Sequence, residues 1–241
     1  MCPRLPESFS RSLAEQILSK ARGERCASRR IETLSRLFLG HPYKPDPLIG
    51  SAGGSEVFTA SLDGFDCVTY IETIVALARA SNADSFVEEL RQIRYEQGCV
   101  RWEERNHYMT LWIRHNIRKG IVTPVSAPTV PTISRERILD VVSGLAAQRV
   151  HVKCTPKAAL GKLEPYLRSG DLIFFVSTRR NLDVFHAGIV VCDGKNVLLR
   201  HASRSQGSVV QQTLMEFLKA NRMPGVIVVR PQGRVPEPQQ R

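Results

Sequence analysis

Apolar positions recur at helical spacing through the first half of the chain. Leu13, Ile17, Leu18 and Ala21 form one stripe within residues 10–22, and Gly23 breaks it. Ile31, Leu34, Leu37 and Phe38 do the same within 28–39, which Gly40 ends. These two amphipathic helices define an N-terminal arm, residues 1–40. Residues 41–65 are rich in Pro and Gly and read as loop, with one short extended piece at 56–61. A helix follows over 67–80, with Val68, Ile71, Ile74, Val75 and Ala78 inward. Further helices are expected at 84–97, 106–118 and 135–147, with a Pro-rich linker at 120–134. The period then changes. Residues 172–176, 185–192, 195–201 and 226–230 read as strands, with a helix at 214–220 between the last two. Helices first and strands later make an α+β chain with a small, mainly antiparallel sheet. The expected division is an arm at 1–40, a main domain at 41–231 with a helical insertion over about 98–165, and a tail at 232–241.

Composition changes this picture little. In 241 residues, 42% hydrophobic and 24% charged, neither a disordered chain nor a collagen is supported. No apolar run is long enough for a membrane helix. The net charge of +11 favours an anionic partner. The basic residues are dispersed, with small knots at Arg29–Arg30, Arg179–Arg180 and Arg200/Arg204, and no basic run interleaves with aromatics. A nucleic-acid reader is therefore not expected. The six cysteines include no Cys-x-x-Cys and none has a His at ligand spacing, so no metal site and no cofactor is expected. The first residues carry no apolar segment of a secretory signal.

Two places carry chemistry. Asp66 precedes an apolar-periodic run and is a good N-cap, which puts Cys67 in the first turn of a helix. The unpaired N–H groups and positive dipole end there favour a thiolate and can hold an oxyanion. Gly64 leaves room for a substrate backbone. The bland alternative is a buried, inert thiol. Further on, Asp193-Gly194 separates two apolar runs and signals a hairpin. With these as the central turn residues, Cys192 faces Lys195 and His186 faces His201. A turn moved by one residue offsets the histidines diagonally but keeps them on one face. His41, His107, His115 and His151 form no such pair.

These motifs resemble the NlpC-type cysteine peptidases of bacterial cell walls. The resemblance lies in Asp66-Cys67, then Gly170-Asp171, then His186-Ala-Gly-Ile, then His201-Ala-Ser, in that order. A closer resemblance is to the branch described as N-acetylmuramoyl-L-alanine amidase-like. It rests on Phe38-Leu-Gly-His-Pro-Tyr43, on Asp66-Cys-Val-Thr-Tyr-Ile-Glu-Thr73, and on Arg105-Asn-His-Tyr-Met-Thr-Leu-Trp112. It implies a papain-like core with a Cys-bearing helix packed on the sheet. It implies Cys67 as nucleophile, His186 as base and His201 as the group that orients His186. It also implies a peptidoglycan fragment or muropeptide as substrate, hydrolysed at an amide bond through a thioester, and a place in the cell envelope. Tyr43, Asp66, Arg105, His107, Ser203 and Arg204 are candidate substrate contacts. Asp66 also reads as a cap, Tyr43 as packing and Arg204 as solvated surface. Arg200, out of phase with His201, is expected to point away from the site. The sequence leaves three rivals: a transglutaminase-like enzyme with Asp183 or Asp193 as third group, a non-catalytic wall-binding module, and a basic nucleic-acid binder. Oligomeric state is not legible.

Overall fold

A computed structural model describes residues 9–194 and 196–233. Its centre is an eight-stranded sheet in which each strand pair is antiparallel. The strands are β3 (Val122–Pro124), β4 (Ile133–Leu139), β5 (Gln148–Pro156), β6 (Leu172–Val176), β7 (Val184–Asp193), β8 (Asn196–Ser203), β9 (Ser208–Thr213) and β10 (Gly225–Pro231). They lie in the order β4-β5-β10-β6-β7-β8-β9, with β3 paired to β10. A small hairpin of β1 (Ile49–Ser51) and β2 (Gly54–Val57) stands apart.

Helices cover both faces of the sheet. On one face lie α1 (Arg11–Lys20), α2 (Ala27–Leu37), α3 (Cys67–Arg79), α4 (Ala83–Arg94) and α5 (Met109–Arg118). Their buried side chains merge with Leu172, Phe174, Ala187, Ile189 and Ala202 of the sheet. On the other face, α6 (Leu160–Leu163) and α7 (Leu214–Ala220) cover Ile173, Phe175, Val190 and Leu199. The alternation of strand side chains therefore feeds two cores. Helix α3 is apolar nearly all round because α2, α4, β7 and β8 enclose it. Arg30 of α2 binds its last carbonyls, at 2.7 Å from Ala80 O. Cations are favourable at that end of a helix. The two N-terminal helices thus build the main core with the rest of the chain.

The expected helix at 135–147 is instead the end of strand β4 and the turn that leads into β5. Residues 133–139 pair along their whole length with β5, from Ile133↔Cys154 to Leu139↔Gln148. The buried side chains there are Arg137 and Leu139, so one position of the alternating face is a cation and the period of two is hidden. The segment 98–165 is accordingly not a helical insertion. It holds α5 and three strands, β3, β4 and β5, before α6. The expected extended piece at 56–61 lies slightly earlier, as β2. Most of the tail at 232–241 lies outside the described residues. No helix among them is long and apolar enough to cross a membrane.

Candidate functional site

Cys67 opens α3. The Asp66 carboxylate accepts from the N–H groups of Val68 (3.0 Å) and Thr69 (2.7 Å), and the Thr69 hydroxyl donates back to it at 2.7 Å. A short polar side chain just before a helix is the usual solution for such orphan donors. Here it consumes two of them, and the Cys67 N–H is left for other use. Cys67 as a residue is half-buried. Burial pushes its thiol up to about 12, and the neighbouring Asp66 charge acts in the same direction. The N–H groups of Ala187, Cys67 and Val68 work against that rise. Ala187 follows His186 on β7. The ladder between β7 and β8 ends at Ile189↔Arg200, which leaves the Ala187 N–H to face the sulfur.

The hairpin register differs from the expected one by one residue at the turn. Asp193 pairs with Asn196, so the central residues are Gly194 and 195, and Gly194 takes the left-handed conformation at φ +58°. Lys195, expected to face Cys192, lies outside the described residues. In this register His201 stands opposite Gly188, one diagonal step from His186 and on the same face. The diagonal is closed by the side chains. His186 Nε2 lies 2.7 Å from His201 Nδ1, with the rings edge to face at 4.8 Å. Gly188 makes this possible. A Cβ there would lie 2.6 Å from Leu199 Cδ1 and 3.0 Å from His201 Cβ.

The pair is enclosed by aromatics. The ring of Phe217, on α7, stacks on His186 at 5.3 Å and meets His201 edge-on at 5.4 Å, while Phe175 flanks His186 at 6.1 Å. His201 is only 2% exposed. Burial drives His186 down to about 3, aided by His201, and drives His201 down to about 4. At neutral pH the thiol and both imidazoles are uncharged. The outer nitrogen of His201, Nε2, lies 2.8 Å from the Gln212 side-chain amide on β9. Gln212 escaped the sequence reading because β9 was not recognised as a strand. Its only signal was an amide two residues from the start of α7.

The other candidates separate into two groups. Tyr43 lies close enough to Cys67, Asp66 and Arg204 for their charges to act on its hydroxyl, which burial raises above the usual phenol range. Ser203 is buried, and its hydroxyl receives the Gln206 N–H at 3.3 Å, closing the turn after β8 that carries exposed Arg204. These residues share the end of the sheet that holds Cys67. Arg105 and His107 are engaged elsewhere. Arg105 pairs with Glu56 at 3.2 Å and stacks over Trp102, and His107 Nε2 meets Trp102 O at 2.7 Å. They line a cavity of about 110 Å³ with Glu96, Glu104 and His115, among others, but without Cys67, His186 or His201. Their local strand-like turn before α5 explains the error: position next to a helix start does not fix which way the chain faces. Gly64 does not open space for a substrate either, because a Cβ there would lie 2.7 Å from Pro42 O.

The rest of the quoted motifs are structural. Glu72 receives Arg94 Nε at 2.8 Å and Trp112 Nε1 at 3.1 Å in the buried core, locking α3 to α4 and α5. Thr110 donates through its N–H and hydroxyl to Asp183 Oδ2, each at 2.7 Å, and so anchors the approach to β7. Arg200 points to the α2 face, with Ser35 Oγ at 2.6 Å. Asp171 accepts from the Arg168 N–H at strand entry and pairs with Arg230 at 2.7 Å. No group of three or more His, Cys, Asp or Glu suited to a metal ion occurs among the described residues.

Comparison with known proteins gives this arrangement a setting. An N-acetylmuramoyl-L-alanine amidase from Bacteroides uniformis superposes with a TM-score of 0.75 at 25% identity, over 86% of this chain and 99% of that one. A second structure of such an amidase from the same organism gives 0.73 at 24% identity, over the same shares. Protein LPG0564 from Legionella pneumophila, of the family DUF1460, gives 0.80 at 20% identity over 92% and 94%. The last two likenesses speak to the fold alone. No curated protein matches the chain in sequence. The sequence profile of the AmiA-like family, described as N-acetylmuramoyl-L-alanine amidase-like, matches residues 33–226, and the chain belongs to that family.

Proposed function

We propose that this protein is a cysteine amidase that hydrolyses an amide bond of peptidoglycan or a muropeptide stem, on an NlpC-type, papain-like catalytic core. The observation that carries the reading is the His186–His201 contact of 2.7 Å on the strand whose next N–H faces the Cys67 sulfur. The family and the amidases named among its structural relatives supply the substrate class.

His186 Nε2 is occupied by His201, so Nδ1 is the nitrogen left for Cys67. With thiol and imidazole both neutral, His186 takes the proton while the sulfur attacks. The S–C bond forms, the carbonyl becomes an oxyanion, and the Cys67 N–H donates to it. One such donor is worth about 3–4 kcal/mol. The C–N bond then breaks as His186 returns its proton to the leaving amine. Water, losing a proton to His186, attacks the thioester. Collapse of that adduct releases the acid and restores the thiol with the proton held by His186.

Gln212 serves this cycle. A primary amide offers a donor and an acceptor from one site. When its N–H donates to His201 Nε2, His201 donates from Nδ1 to His186 Nε2, and the proton of neutral His186 sits on Nδ1. With the amide turned over, its oxygen accepts from His201 Nε2, the chain of bonds reverses, and Nδ1 of His186 is a base. One residue thereby supports both halves of the reaction.

The deciding experiment is mass analysis of purified muropeptides incubated with the protein and with Cys67→Ala. The reading expects a mass gain of one water across a single amide bond, and none with the variant. Full turnover by Cys67→Ala, or no turnover by the parent on any muropeptide, would overturn it. A transglutaminase-like enzyme would instead lose activity on Asp193→Asn and keep it on His201→Asn.

A further inference from the structure

A second concave site lies beside β4. It is a cleft of about 460 Å³, open to solvent, lined by Arg135, Arg137, Lys157, Thr178, Arg222, Met223 and Pro224. Four of these seven residues are cations, and none is an acid. The sequence shows why they converge. Arg135 and Arg137 are two apart on β4 and share a face, while Glu136 between them points away and pairs with Arg149 at 3.0 Å. Lys157 follows β5, and its ammonium is held at 3.0 Å from Asn221 O, beside Arg222.

Arg137 is the informative member. It is only 7% exposed. Its guanidinium donates to two carbonyls, Glu136 O at 2.8 Å and Ser177 O at 2.6 Å, and its Nε is buried without a partner. Among the described residues no carboxylate pairs with it. A buried cation costs free energy unless a counter-charge answers it. The cleft has the form of a site that waits for one.

We propose that this cleft binds an oxyanion group, a phosphate or a carboxylate, carried by an anionic ligand. Arg137 contributes the buried, oriented charge, and Arg135, Lys157 and Arg222 contribute the rim. Its place in the fold fits a subsite of the proposed hydrolase. Thr178 lies three residues beyond Phe175, the strand partner of His186, which is on the order of 10 Å along an extended chain. The basic pair Arg179–Arg180, which the catalytic site does not use, follows Thr178 directly, and Arg180 O receives the Ile138 N–H of β4. Four cations that are dispersed in the sequence, Arg135, Arg137, Lys157 and Arg222, are thus brought together by the fold in one cleft. Only the source of the anion rests on the amidase reading; the cleft's chemistry does not.

The test reads binding, not turnover, and so stands apart from the catalytic assignment. Inorganic phosphate and a small dicarboxylate, glutarate, are titrated separately into the full chain, following the Arg137 Nε–H resonance by NMR and the heat by calorimetry. The same titrations are run on the double variant Arg135→Ser/Arg222→Ser, whose two side chains are exposed, with its melting temperature checked. Saturable binding of either anion that moves the Arg137 signal, and weakens at least about tenfold in the double variant, is the expected result. The anion that binds identifies the source as phosphate or carboxylate. Absence of saturable binding by both, or equal affinity in the variant, overturns the proposal. So does a short oligonucleotide that binds through these residues when neither small anion does.

Discussion

The sulfur proposed as the nucleophile is held here in its neutral form. The Cys67 thiol is pushed up to about 12 by burial and by Asp66, and the histidine proposed as its base is held down to about 3. A preformed thiolate–imidazolium pair is the less stable arrangement until a substrate arrives. Iodoacetamide should therefore modify Cys67 more slowly at pH 7 than exposed Cys26 or Cys99, with the rate still rising at pH 9. Peptide mass spectrometry after timed quenching reads each cysteine separately. A Cys67 that reacts fastest at pH 7 would mean the ion pair exists in the free protein. The same logic reaches outward to Gln212. Replacing it with Leu leaves His201 Nε2 buried and unpaired; if that cost of about 1–3 kcal/mol falls on the transition state of the proposed reaction, kcat drops roughly 5–150-fold. KM should hardly move, since Gln212 is two side chains from the sulfur. Gln212→Glu retains the acceptor and adds a charge that favours imidazolium, so the acid limb of the pH–rate profile should move to higher pH. A Leu variant with unchanged kcat would leave Gln212 a packing residue.

The helix start is where one residue does two jobs. Asp66 caps α3 and also destabilises the thiolate. Asp66→Asn keeps the acceptor and removes the charge, so it should preserve the melting temperature and speed alkylation of Cys67. Asp66→Ala should cost about 1 kcal/mol of stability, measured by urea unfolding. If the two variants behave alike in both measurements, the cap and the charge are not separable as argued. This element was legible in advance, because a capping residue, a thiol and a periodic apolar run are all local signals. The facing histidines were legible for a different reason: a strand pair has only two faces, so an error of one residue at the turn keeps both rings on the same side. What could not be read was anything set by distant pairing. The strand β4 looked helical because a buried Arg137 interrupts its apolar face. Gln212 reaches His201 only through the β8–β9 ladder, and β9 has too little alternation to declare itself. Arg105 and His107 were misplaced because the direction of their segment is decided by Glu56 and Trp102, remote in the chain or in the turn that precedes them.

On the scale of the whole molecule, the buried histidines tie stability to acidity. His186 falls to about 3, His201 and His107 to about 4, and His115 is lowered too, all chiefly by burial. In the unfolded chain each would take up a proton near pH 6.5. Between that value and the folded one the unfolded state binds more protons, so stability is complete above about pH 6.5 and is lost as the pH falls. Each fully affected histidine contributes a slope of up to about 1.4 kcal/mol per pH unit. Two buried carboxyls act the other way. Burial raises Glu72 and Asp183, so they favour the folded state at low pH and cease to do so as pH rises through their folded values. Four histidines against two carboxyls predict a net loss between pH 6.5 and 4.5, seen as a falling melting temperature across that range in buffers of equal ionic strength. The His186–His201 pair should account for part of it. His201→Gln removes one titrating ring from the enclosed site, and its stability curve should be flatter in that window than the parent's, whatever its stability at pH 7. A parent curve that is level from pH 7 to 4.5 would show that these rings become protonated within the fold at little cost, and that the aromatic enclosure formed by Phe175 and Phe217 does not hold them neutral.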